Sequence, residues 1–141
     1  MYSPDKNITQ DSSKTLIVKN QCYELLYHPQ KNRVYLNIYG FWKGRNHVPD
    51  YLSDLKKALA LVQLNFTLLL DLRTMITHPQ DVMRLHIEGL EVLQAGGLRK
   101  SACVDPSDRI ANLQVEDTLV KSHLSSKRFT SYSEAEAWLE E

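Results

Sequence analysis

Five histidines, His28, His47, His78, His86 and His123, are the side chains of this 141-residue chain best suited to proton transfer or metal ligation. No two stand at a spacing that one helix or strand would turn into a metal pair, so neither a metal nor a cofactor is expected. Neither cysteine, Cys22 or Cys103, sits beside a histidine, and no Gly-x-Ser-x-Gly elbow occurs. Nucleophilic acyl transfer has no local support. Gly96, Gly97, Arg99, Lys100 and Ser101 have the composition of a phosphate loop, but they leave a helix instead of opening one, and a cap followed by a strand accounts for them. The remaining candidate is the segment Asp71 to Asp81, where Arg73, Thr74, His78, Gln80 and Asp81 offer donors and acceptors to a partner or ligand. His78 beside Asp81 is the one acid–base pair that a single loop could hold. A second set, Met75, Ile76, Met83 and Leu90, would suit a small apolar or lipid-like ligand, although such stripes also form the ordinary buried face of a helix. No catalytic residue is assigned.

These candidates need elements to position them. Residues Thr15 to Tyr27 mix β-branched, aromatic and polar side chains as a strand does, and a turn around Pro29 makes the first hairpin. From Arg33 to Trp42, Val34, Leu36 and Ile38 alternate with Arg33, Tyr35, Asn37 and Tyr39, the period of a strand. A helix beginning near Pro49 carries Tyr51, Leu52, Leu55, Leu59 and Val62 on one face. Phe66 to Leu72 reads as a central strand covered on both sides, and a helix from Gln80 to Ala95 ends at Gly96 and Gly97. Leu98 to Val104 is the next strand. Asp105 and Pro106 then look like the cap and first residue of a helix running to about His123. A short strand near Phe129 precedes a terminal helix, with Ser133 and Glu136 at capping-box spacing. The sum is an α/β domain: a mixed, mostly parallel sheet of about five strands opening with a β-hairpin, and about four helices packed mainly on one side. Residues 1–13 are polar and read as a disordered leader, and residues 14–141 as a single domain.

The charge sums to zero, with 17 basic and 17 acidic residues, which argues against a protein that coats nucleic acid. The balance hides a polarity, because residues 1–70 hold 9 basic and 5 acidic residues, and the rest hold 8 and 12. Lys31, Arg33, Lys43 and Arg45 lie among Tyr35, Tyr39, Phe41 and Trp42, a mixture that binds single strands but also keeps a half-exposed hairpin soluble and guards its edge. Four cations favour the second reading. A charge-complementary contact, to another protein or to a second copy of the chain, is the natural expectation. No apolar run approaches the ~20 residues that span a bilayer, and two cysteines suit free thiols in the cytoplasm.

The strand end Leu70-Asp71-Leu72, the loop and helix after it, the strand entered through Gly96 and Gly97, and the ending Phe129, Tyr132, Glu134, Ala135, Trp138, Leu139 resemble STAS-like domains. The closest likeness is to the small stand-alone bacterial branch related to anti-sigma-factor antagonists and grouped with lipid-binding CRAL-TRIO-like proteins. This resemblance implies a regulatory or ligand-binding role without turnover. In anti-sigma-factor antagonists an Asp-Ser-Ser-Gly pattern at a helix start carries the phosphorylated serine, and its place here is taken by Pro79, Gln80, Asp81 and Val82, which offer no hydroxyl. A kinase-operated switch is not expected, and Asp81 would hold a constant negative charge at the helix start or simply cap it. The leading expectation is a non-enzymatic regulatory or protein-interaction module lacking the phosphorylatable serine. A carrier or sensor of a small apolar or lipid-like ligand comes second, and a small enzyme using His78 as base third.

Overall fold

In the computed structural model, residues 13–141 are described, so the leader assigned to residues 1–13 lies outside the described residues except for Ser13. The elements in chain order are β1 (Thr15–Lys19), β2 (Tyr23–His28), β3 (Arg33–Ile38), α1 (Tyr51–Leu59), β4 (Phe66–Asp71), α2 (Gln80–Ala95), β5 (Leu98–Val104), α3 (Arg109–Ser122), β6 (Ser126–Phe129) and α4 (Tyr132–Glu140). They form one α/β layer structure around a six-stranded sheet whose spatial order is the sequence order. β1, β2 and β3 pair antiparallel, and β3 through β6 pair parallel. Every parallel crossover steps the same way along the sheet, so right-handedness puts α1, α2 and α3 on one face. There Leu25, Leu36, Phe66, Leu68 and Leu70 meet Leu55, Val82, Leu93 and Val115 in the main core. On the opposite face α4 alone packs, with Ala135 and Leu139 against Tyr35, Leu69, Ala102 and Val104.

The strand count differs from expectation by one, and the cause is local. Asn20 accepts hydrogen bonds through Oδ1 from the backbone amides of Cys22 and Tyr23 at 2.8 and 2.9 Å, which folds the chain back on itself and splits the first strand into β1 and β2. β1, not the Arg33 strand, is therefore the edge of the sheet, and β3 lies between β2 and β4. Arg33 does not guard an edge as a solvated cation: it is 2% exposed. The central strand is as expected, with Thr67, Leu68, Leu69 and Leu70 all buried. Among the described residues no helix is long and apolar enough to cross a membrane.

Two caps are displaced from where the spacing put them. Asp108, not Asp105, receives the first amides of α3, accepting from Ile110 and Ala111 at 3.0 and 3.1 Å. Asp105 instead accepts from Arg128 Nε at 2.8 Å, binding the end of β5 to β6. Ser131, not Ser133, caps α4, accepting from the Glu134 amide at 3.3 Å. A cap of this kind contributes about 1 kcal/mol. Asp108→Ala is accordingly expected to lower the unfolding free energy by about 1 kcal/mol, read as a shift of the urea midpoint with an unchanged slope. An unshifted midpoint would show that α3 starts elsewhere. At the end of α2, the left-handed position falls on Gly97, with φ of 98°, and not on Gly96, whose φ is −81°.

Candidate functional site

The carboxyl ends of the parallel strands are tied together before any function is considered. After β3, Gly40 takes a φ of 58° and its amide donates to the Thr74 carbonyl at 3.1 Å, while the Ile76 amide donates back to the Gly40 carbonyl at 3.2 Å. The loops after β3 and β4 thus extend the sheet by one bridge. The His78 amide donates to Gln114 Oε1 at 3.0 Å and the Gln114 amide group donates to the His78 carbonyl at 2.9 Å, which fastens the second loop to α3.

This framework does not bring the five polar candidates together. Arg73 is held by its neighbour Asp71 through two bonds, of 2.9 and 2.7 Å, and lies over the Tyr132 ring. With Thr74, Asn37 and Tyr39 it lines a polar hollow on the face that α4 covers in part. Gln80 is exposed at the start of α2. Asp81 turns away from His78 and accepts from the Arg45 amide at 3.2 Å, so it fixes the short 3-10 turn at Arg45–His47. Asp81 does not cap α2, whose start receives no side-chain cap hydrogen bond. Instead of facing a partner, His78 is 2% exposed.

The reason for that burial is an aromatic nest. Trp42 stacks on His78 with centroids 5.2 Å apart and lies 4.8 Å from His86, while Tyr23 and Tyr51 pack edgewise to one another beside it. The Gly40 carbonyl can only accept, so His78 Nε2 carries the proton that bonds it at 2.8 Å. The neutral ring then presents Nδ1 as an acceptor, and His86 Nε2 donates to it across 3.0 Å. Burial, followed by the charge that His78 would carry, pushes the His86 pKa down to about 3. Burial likewise lowers that of His78, against the opposing bond to Gly40. Both rings are neutral structural groups at physiological pH. His78 has no free nitrogen with which to act as the base of the third reading, and Asp81 does not orient it.

Cys22 and Cys103 are free. Burial, reinforced by Asp105, raises the Cys103 thiol to about 12, which makes it inert as a nucleophile. Among the described residues no three His, Cys, Asp or Glu side chains are grouped as metal ligands.

The apolar candidates fare differently. Met75, Met83 and Leu90 line one internal cavity of about 30 Å³ between the sheet, α2 and α3, but Ile76 does not and is exposed. About 10–15 Å³ admits one water, so the closed domain has space for a few atoms and none for an acyl chain. Tyr51, from the apolar face of α1, and Thr118 join the lining, and nothing in the sequence marks Thr118.

What the sequence reading missed is on the surface. Phe41, Ile76, Ile110 and Leu113 are 52, 43, 58 and 65% exposed, and they belong to the loops and helix start that follow β3, β4 and β5. A signal existed: α3 carries Ile110, Leu113 and Val120 on the side opposite its buried Ala111, Val115 and Leu119, so the helix is apolar on two faces. Lys43 and Arg109 are the flanking cations, and neither forms an ion pair among the described residues. No protein-family model, curated protein or solved structure matches the chain.

Proposed function

We propose that the protein is a non-enzymatic regulatory module of STAS-like type, working in the cytoplasm, that docks an acidic segment with an apolar face at the carboxyl ends of its parallel strands. The observation that carries this reading is the exposure of Phe41, Ile76, Ile110 and Leu113 on adjacent, mutually bonded elements. Large apolar side chains grouped at the privileged end of an α/β sheet are how such proteins meet partners. Lys43 and Arg109 give the patch its sign. Two copies meeting face to face would bring these cations together, so an acidic partner is favoured over a symmetric dimer. Three helices on one face of the sheet and α4 alone on the other agree with the STAS-like resemblance, which implies helices mainly on one side. Without a hydroxyl at Pro79–Val82, docking is constitutive with respect to phosphorylation at that place.

The test compares the full chain with Phe41→Ser/Ile110→Ser, two exposed positions whose change leaves the core intact. The immobilised wild type is expected to retain a partner from lysate at low salt, to release much of it at high salt, and the folded double variant to lose it. Equal capture by the double variant would remove the patch from consideration. Concentration-dependent self-association, seen by sedimentation and abolished by the same variant, would replace the acidic partner with a second copy.

A further inference from the structure

The cavity between the sheet, α2 and α3 has twelve lining residues, and nine of them are aliphatic or methionine. Tyr51, His86 and Thr118 supply its polar atoms. Thr118 is more than nine-tenths buried, and its Oγ1 is the one buried side-chain polar atom among the described residues that has no hydrogen-bond partner. Leaving a hydroxyl unsatisfied in such surroundings costs about 1–3 kcal/mol, so a group that fills this role is worth having. His86 also lines the cavity, its ring held by the hydrogen bond from Nε2 to His78 Nδ1. The volume, about 30 Å³, exceeds what one water needs. Met75 and Met83 form part of the wall, and their flexible thioethers let it adapt to shape.

We infer that this cavity is a binding site for a compact, mainly apolar molecule carrying a single hydroxyl group. A hydroxyl both donates and accepts, and so can partner the Thr118 hydroxyl in either direction. The hydrocarbon part meets the nine apolar side chains.

The experiment uses the full chain with ¹³C-methyl methionine, titrated with 1-propanol and, separately, with xenon. Saturable displacement of the Met75 and Met83 methyl signals by 1-propanol is expected, weakened at least fivefold by Thr118→Val and largely kept by Thr118→Ser. Xenon, which uses no hydrogen bond, should bind wild type and Thr118→Val alike. Linear, non-saturating shifts with both probes would overturn the site, leaving the cavity to a resident water. Equal 1-propanol affinity in wild type and Thr118→Val would overturn recognition of the hydroxyl. Neither result bears on partner capture at the surface patch, so the two proposals fail separately.

Discussion

Arg33→Ala is expected to destabilise the domain by about 3 kcal/mol and to lower its melting temperature by roughly 10 °C, the largest effect we foresee from one substitution. The guanidinium is buried on β3 beneath α4. Its Nε donates to Thr67 Oγ1 at 2.9 Å, and its Nη1 donates to Glu140 at 3.0 Å and also to Glu136. Tyr35 donates its hydroxyl proton to the same Glu136 carboxylate. Truncating the arginine leaves Thr67 and a partly buried carboxylate without their partner, and that uncompensated burial outweighs the modest net value of the pair itself. α4 packs elsewhere through Ala135 and Leu139, so the loss should be felt first as detachment of that helix. Urea unfolding checks the total, and hydrogen exchange of the α4 amides checks the order of events. Replacing the whole set, Arg33→Met with Tyr35→Phe and Glu136→Leu, should recover most of the stability, because no buried charge then lacks a partner. A loss below about 1 kcal/mol for Arg33→Ala would mean the network is solvated and its burial unimportant.

Acid should destabilise the fold well before its carboxylates are protonated. The ordinary pKa of histidine, about 6.5, applies to the unfolded chain, whereas burial holds both His78 and His86 below that value in the fold, His86 at about 3. Between those limits the unfolded state binds more protons, so stability falls as pH falls. Each fully neutral buried histidine contributes a slope of about 1.4 kcal/mol per pH unit, so His86 alone should remove about 2–3 kcal/mol between pH 6.5 and 4.5. Glu88 and Glu140, whose pKa values are lowered by hydrogen bonds to Arg45 and to Lys31 and Arg33, act in the same direction but only below the ordinary carboxylate pKa of 4.5. The interval from 6.5 to 4.5 therefore isolates the histidine pair. Urea midpoints across this interval should fall steadily in wild type and less steeply in His86→Leu, in which His78 alone of the buried pair remains. An unchanged slope in His86→Leu would locate the proton uptake elsewhere.

The polar candidates show where reading a chain locally stops working. Arg73, Thr74, His78, Gln80 and Asp81 were grouped because they share one loop at the carboxyl end of a strand. The loop does run there, yet His78 turns inward under Trp42, Asp81 serves the Arg45 amide, and Arg73 bonds Asp71. Sequence neighbours in a loop have no period that tells which side chain faces in. Of the apolar candidates, Met83 and Leu90 lie on the cavity because α2 has a period and its buried face is predictable, whereas Met75 reaches it from the loop after β4. The missed residues, Thr118 inside and Leu113 and Ile110 outside, come from α3, whose approach depends on register and helix packing.

By itself the sequence determined the α/β class, the burial of Phe66–Leu70 on both faces, the alternation of helices with parallel strands and hence the packing of α1, α2 and α3 on one face. Each follows from periodicity and turn chemistry within a single element or between neighbours in the chain. Only the tertiary structure decided that Asn20 divides the first strand, that Arg33 is a buried anchor for α4, and that Thr118 and His86 line one cavity. Those outcomes require groups tens of residues apart to meet, and long-range pairing sets such meetings while local pattern does not.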